Sequence, residues 1–281
     1  MEKILSGKPA MQHYVDALKA RVEKLSVKPG LCVVWVGDDP SAESYGASIR
    51  RRAEMVGVEL RTVNLPGSAS QADVLACIDA LNADDSVHGV LLYLPLPGAL
   101  HGCEDTICAR LDPKKDVDGV TAASAAALYL GEPGGFAPCT AEACLRVLEY
   151  YDVPLAGKNA CVVGRSRVIG KPAAMLLLQK NATVTVAHSR TADLAAVTRG
   201  ADVLIAAAGS AGLITKDHVK PGAVVVDVGA NWQDGKMVGD VRFDEVEPLA
   251  AAITPVPGGV GMVTSTVLME HVITAAEKAG A

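Results

Sequence analysis

Apolar and polar positions fall in alternating blocks along this chain. Near-continuous apolar, largely β-branched runs occur at "LCVVWV" (31–36), "LRTVNL" (60–65), "GVLLYL" (89–94), "ACVVG" (160–164), "ATVTVA" (182–187), "DVLIAAAG" (202–209) and "AVVVDVG" (223–229). Between them, 43–56, 71–82, 141–150, 171–180 and 192–199 read as helices, and "MEKILSGKPAMQHYV" reads as the start of an amphipathic one. Strands that are apolar throughout and alternate with helices predict parallel sheets covered on both faces, an α/β architecture. The rhythm breaks at 113–140, where two turn clusters and no strand predict a domain junction. A Pro/Gly loop at 254–261 precedes a last helix expected to cross back to the first domain. The predicted organisation is therefore two lobes, 1–120 plus 262–281 and 121–261, with a cleft between them.

Length and composition narrow the class. With 281 residues, half of them apolar, the chain has enough material for two packed cores. A formal charge of −6 gives no electrostatic reason to expect nucleic acid or an anionic membrane as partner. Arg50–Arg52 is a local exception whose plainer reading is a solvated helix face. The seven cysteines are scattered without a C-x-x-C, so no metal site is expected and free thiols in a reducing, cytoplasmic setting are. The N-terminus lacks a signal-peptide core, and no apolar run has membrane-spanning length.

The stretch "NACVVGRSRVIGKPAAMLLLQK" (159–180) is a strand, a turn with two glycines, and a helix. Five residues separate Gly164 from Gly170, and Pro172 supplies no hydroxyl for a magnesium ion, so a Walker-type phosphate loop fails. A Rossmann-type turn survives, with glycine for close approach and a helix N-terminus facing a pyrophosphate; a βα turn without ligand is the alternative. The next strand ends in His188, Ser189, Arg190 and Thr191, with no carboxylate to grip a ribose 2′-hydroxyl. A guanidinium and a hydroxyl there, with Arg165 across the turn, suit a 2′-phosphate and favour NADP, with NAD as the alternative. Arg190 as a mere strand-end cap is the plainer reading.

Several further segments stand in fixed order: "VGDDPSAESY" (36–45), "LPLPGAL" (94–100), "DPKKDVDGV" (112–120), "PCTAEA" (138–143), "GRSRVIGKP" (164–172), "HSRT" (188–191), "VDVGAN" (226–231) and "TPVPGGVG" (254–261). Together they resemble the methylenetetrahydrofolate dehydrogenase/methenyltetrahydrofolate cyclohydrolase family over essentially the whole chain. The resemblance implies a homodimer with folate on 1–120 plus 262–281 and NADP on 121–261. The implied reaction moves a hydride from methylenetetrahydrofolate to the cofactor, leaving the methenyl cation. By resemblance, Tyr45 stacks near the folate ring and Asp118 pairs with the pterin, while Pro257, Gly258, Gly259 and Val260 border the ligands. Thr140, Gly164, Arg165, Ser166, Ser189 and Ala230 match cofactor contacts; Gly170, Arg190 and Gly209 join that expected set. Residue by residue the plainer alternatives are an Asx-turn for Asp118 before Gly119 and a core-packed ring for Tyr45.

The chain also departs from the family. The bifunctional members carry a lysine four residues after the tyrosine, where this chain has Ile49, and a glutamine before "LPLP", where it has Tyr93. By resemblance, that pair serves the hydrolytic step. Met262 and Val263 stand where the family reads Pro-Met, and Glu142 lies in a variant of "PCTPxG". Hydride transfer needs no protein acid or base, only donor and acceptor held close in a dry site. Adding water to a methenyl cation does need proton transfer, which isoleucine cannot perform and a phenol performs poorly near neutral pH. Arg50 lies about 100° round the helix from position 49, and its guanidinium can orient water but not take a proton. The expectation is a dehydrogenase with feeble or absent cyclohydrolase activity. The rival readings are a bifunctional enzyme using another residue and a silent binding protein.

Overall fold

The computed structural model describes residues 2–38 and 40–280, with 40–44 described through their backbone alone. Asp39 and the side chains of 40–44, part of the "VGDDPSAESY" segment, lie outside the described residues. The chain divides into two compact units: residues 13–137 with 265–281, and residues 1–12 with 138–264.

In the first unit, strands β1 (Gly30–Val36), β2 (Glu59–Leu65) and β3 (Gly89–Leu92) form a parallel sheet in the order β2-β1-β3. The apolar β1 is central and almost wholly buried, whereas β2 alternates exposed and partly buried positions at the edge. Helices α1 (Gly7–Val22), α2 (Pro40–Val56) and α3 (Gln71–Ala83) alternate with these strands, α1 continuing into this unit from the other. A capping box at Ser70 and Asp73 starts α3, satisfying amide groups that the helix itself leaves open. Val74 and Ile78 of α3 pack with Val34, Val90 and Leu92 in the core. A short helix, α4 (Glu104–Cys108), adds Ile107 to this cluster.

A nine-residue helix, α5 (Ala122–Leu130), follows the "DVDG" segment, in a stretch where two turn clusters and no strand were expected and no helix was assigned. Residues 121–137 pack in the first unit, although the sequence pattern grouped them with the second lobe. The start of this segment is held by Asp116, fully buried, whose carboxylate accepts the amides of Val120 and Thr121 at 2.9 Å each and the Ser124 hydroxyl at 2.7 Å, and its end by Phe136, whose ring lies 4.7 Å from that of His271. Because Asp116 itself bridges to Val90 of β3, the start of α5 is tied to the sheet.

The second unit carries a five-stranded parallel sheet. Its strands are β4 (Asn159–Val163), β5 (Thr183–Ala187), β6 (Val203–Ala206), β7 (Val224–Asp227) and, later in the chain, β10 (Ala252–Ile253), in the order β10-β7-β6-β4-β5. Helices α6 (Cys139–Tyr150), α7 (Gly170–Gln179), α8 (Leu194–Thr198) and α9 (Phe243–Val246) accompany them. A small antiparallel hairpin, β8 (Asn231–Gln233) and β9 (Lys236–Val238), was not expected from the apolar runs. The last helix, α10 (Gly261–Ala279), begins in this unit and continues into the first. There His271 Nδ1 lies 2.8 Å from the Val117 carbonyl and Arg21 of α1 donates twice to Glu277. The expected α/β class with parallel sheets is what the chain forms.

Candidate functional site

On α2 of the first unit, Tyr45, Ile49 and Arg52 lie on one face, since steps of four and seven residues return close to the same direction. Tyr45 is brought to Tyr93: their ring centroids are 6.4 Å apart at an interplanar angle of 45°. Tyr93 follows β3 directly, and its amide donates to the Val34 carbonyl at 2.8 Å, so the strand end fixes where this ring begins. Ile49 has 0 % of its surface exposed. Of the two positions at which the chain was expected to depart from the family, Ile49 lies one turn after Tyr45 on α2 and Tyr93 lies against the Tyr45 ring.

The arginine run divides. Arg50 and Arg51 are exposed, and Arg50 lines a shallow hollow with Glu54, Leu60 and Thr62, toward β2. Arg52 is turned inward, 7 % exposed, with Nε 3.4 Å from Ser265 Oγ and Nη1 3.5 Å from Met55 Sδ. Burial, then the neighbouring Arg51 charge, lowers its pKa, although a guanidinium remains a cation in proteins. A solvated face is therefore the fate of two of the three; the heptad step from Tyr45 to Arg52 was the signal that could have singled out the third.

The two acids of "DVDG" have different surroundings. Asp116 builds the turn through the three bonds already described, and the Gly119 amide donates to its carbonyl at 3.2 Å. Asp118 is partly buried in that turn, just before Gly119 at φ +65°.

In the second unit, the turn after β4 lies against the end of β5. The Gly164 amide donates to the Ala187 carbonyl at 2.8 Å, and Val163 pairs with Ala187 in register. Gly164, at φ +134°, leaves no room for a Cβ because the Ala207 carbonyl occupies that space, and Gly170 is packed against the Gly164 carbonyl in the same way. Arg165 and Ser166 from the first turn, and Ser189 and Arg190 from the second, are exposed at these neighbouring strand ends. The second turn is held by His188, whose amide donates to Thr191 Oγ1 at 2.9 Å and whose Nδ1 accepts the Arg190 amide at 3.1 Å. The next acid along the chain, Asp193, caps α8 by accepting the Ala196 amide at 2.9 Å. Two guanidiniums and two hydroxyls make a donor set that fits a phosphorylated dinucleotide.

One expectation is corrected here. The amides at the start of α7 do not stand open for a pyrophosphate: Ser166 Oγ accepts those of Ile169 and Gly170 at 3.1 and 3.3 Å, and the Ser166 carbonyl accepts that of Lys171 at 3.1 Å. A serine four residues before a helix can fill the role of a cap, which the glycine count obscured.

The remaining candidates fall in the same unit. Thr140 is half-buried in the first turn of α6, and Ala230 and Gly209 are exposed beyond β7 and β6. In the Pro257–Val260 turn, Pro257 is exposed, Gly258 has φ +104° and Val260 is buried. The Gly258 carbonyl accepts the Gly7 amide at 2.8 Å, and the Met262 amide donates to Gly259 at 3.0 Å, a bond that proline at this position could not make. Val263 is fully buried. Burial raises the Cys32 and Cys161 thiols to about 11 and Cys144 to about 12, which makes them poor nucleophiles.

With this geometry in hand, comparison with known proteins is direct. Residues 5–118 match the catalytic domain of tetrahydrofolate dehydrogenase/cyclohydrolase, and residues 138–280 match its NAD(P)-binding domain. "Bifunctional protein FolD" of Exiguobacterium sibiricum is 45 % identical over 280 residues, covering 99 % of this chain and 100 % of that protein. The crystal structure of the bifunctional FolD enzyme from Campylobacter jejuni superposes with a TM-score of 0.95 at 40 % identity, covering 98 % of this chain and 99 % of that one. The Trypanosoma brucei dehydrogenase-cyclohydrolase, solved with NADP and an inhibitor, gives 0.91 at 31 % identity, covering 99 % of both chains. The chain therefore belongs to the tetrahydrofolate dehydrogenase/cyclohydrolase family.

Proposed function

We propose that this chain, an NADP-dependent methylenetetrahydrofolate dehydrogenase, oxidises the one-carbon bridge but hydrolyses the methenyl product weakly or not at all. The observation that carries the proposal is Ile49, fully buried one helical turn after Tyr45 on α2, the position that the family resemblance aligns with a lysine. When bound, the nicotinamide supplies the hydride acceptor. The chain's own work is to orient and to exclude water. Tyr45 stacks on the folate ring with Tyr93 at its flank, and the Asp118 carboxylate takes two hydrogen bonds from the pterin edge, which fixes its orientation. Pro257, Gly258, Gly259 and Val260 border the ligands. Thr140, Gly164, Arg165, Ser166, Gly170, Gly209 and Ala230 line the cofactor, with Ser189 and Arg190 on its 2′-phosphate. Two chains associate as a homodimer, and the free thiols, most of them buried, suit the cytoplasm.

Isoleucine at position 49 has no group that can relay a proton from water to solvent, and removal of such a group typically lowers a rate by ~10²–10⁴-fold. The test is a paired assay on purified protein. NADPH should form from methylenetetrahydrofolate, while methenyltetrahydrofolate should decay no faster than in buffer. Absence of NADPH formation would contradict the dehydrogenase half, and enzyme-accelerated decay the other half.

The bifunctional reading is the alternative, supported by the bifunctional naming of relatives at 45 % identity and by Arg52, a cation on the Tyr45 face. A guanidinium can orient water there. Under this reading, decay is accelerated and Arg52→Met abolishes the acceleration.

A further inference from the structure

Two buried carboxylates that the sequence did not single out govern the C-terminal ends of β6 and β7. Asp240 has no exposed surface. Its Oδ2 accepts the amides of Ala208 and Gly209 at 2.6 and 2.9 Å, and its Oδ1 accepts the Ser210 amide at 2.8 Å and Asn231 Nδ2 at 2.9 Å. Asp227, the last residue of β7, accepts the amides of Gly229, Asp240 and Val241 at 2.9, 2.9 and 3.0 Å, so one carboxylate holds the backbone of the other. Glycine is required at 229 and 239, where a Cβ would overlap Asp240 and Asp227 respectively.

Three consecutive amides aimed at one carboxylate dictate where their carbonyls point. In a planar trans peptide the C=O is directed opposite the N–H, so the carbonyls of Ala207, Ala208 and Gly209 turn away from Asp240. The Ala207 carbonyl meets Gly164 at the end of β4; Ala208 and Gly209 are exposed. The sheet order places β6 and β7 on one side of β4 and β5 on the other. A dinucleotide whose 2′-phosphate lies at the β5 end and whose pyrophosphate lies at β4 extends its nicotinamide half toward β6 and β7.

We propose that Asp240 is a positioning residue for the cofactor: by drawing the 208–210 amides inward it presents the Ala208 and Gly209 carbonyls as acceptors for hydroxyl or amide donors on the nicotinamide–ribose half. This rests on the NADP-site assignment above. Asp227 holds Asp240 in register for the task.

Equilibrium binding, well below each variant's Tm, separates the two levels. NADPH and adenosine 2′,5′-bisphosphate, which has the 2′-phosphate but no nicotinamide ribose, are titrated by calorimetry against wild type, Asp240→Asn and Arg190→Ala. Asp240→Asn keeps the shape but turns an NH₂ donor on amide donors. It should raise the NADPH Kd by about tenfold or more, the equivalent of one charge-assisted hydrogen bond, with the bisphosphate Kd changed less than about twofold. Unchanged NADPH affinity, or equal loss for both ligands, would overturn the proposal, because a merely structural role does not distinguish the two halves. If Asp240→Asn fails to fold, Asn231→Ala, which removes one of the four donors, decides: a smaller rise for NADPH alone supports the proposal and none overturns it. Failure of the underlying assignment looks different: wild type binds neither ligand, or Arg190→Ala leaves bisphosphate binding intact.

Discussion

At position 49 the chemistry of one side chain separates two reactions. Under the proposed function, a fully buried isoleucine one turn after Tyr45 offers no proton carrier, which hydride transfer does without and hydrolysis does not. Ile49→Lys alone should not restore cyclohydrolase turnover, since Tyr93 still holds the glutamine's place; Ile49→Lys with Tyr93→Gln should accelerate methenyl decay by ~10²-fold or more. A single variant as fast as a bifunctional relative would contradict this. Ile49→Ala should cost about 2–5 kcal/mol by opening a cavity, read by urea denaturation. These two positions drew attention only through the family resemblance, counted from Tyr45 and from "LPLP". What spacing did not reveal was direction: three successive arginines look alike in a sequence, and only helix phase against a packed neighbour sends Arg52 inward and Arg50 outward.

At the scale of elements, the paired turns after β4 and β5 carry the cofactor argument. Arg190→Ala should raise KM for NADP more than KM for NAD; equal effects would reduce Arg190 to a structural role. The turn beyond β7 carries a pH signature. Burial, and then Asp240, push Asp227 up to about 6 against the pull of three amide donors. An acid whose folded pKa exceeds its unfolded one binds more protons when folded, so it contributes a loss of stability as pH rises from about 4 to about 6 and a constant penalty above that. Over that window wild-type Tm should fall relative to the Asp227→Asn variant; parallel Tm profiles would contradict the shift. All seven apolar runs proved to be strands; the central ones are buried on both faces, while the edge strands β2 and β5 kept β-branched, apolar runs although they are largely exposed. Helix α5 was missed because "AASAAALYL" has no polar face to mark its period. The β8–β9 hairpin did carry its signal, Asp234-Gly235, both at positive φ, but its strands of three residues are too short to show alternation.

Across the whole molecule, two compact units share helices α1 and α10, each beginning in one unit and continuing into the other. The two units change over between 137 and 138, and residues 121–137 are held in the first by Asp116, a buried carboxylate whose role no local pattern discloses, and by Phe136, whose ring lies 4.7 Å from that of His271. Buried acids at 116, 227 and 240 all accept backbone amides, and each shapes a turn that borders a candidate ligand site. Such residues read as ordinary surface charges until the chain folds around them. Sedimentation of the purified protein should show a dimer; a monomer at micromolar concentration would contradict that part of the account. The most direct test of the central claim follows the loss of methenyltetrahydrofolate absorbance with and without the enzyme, in a preparation that forms NADPH from methylenetetrahydrofolate. The account predicts equal decay in both cuvettes, and faster decay in the presence of the enzyme would contradict it.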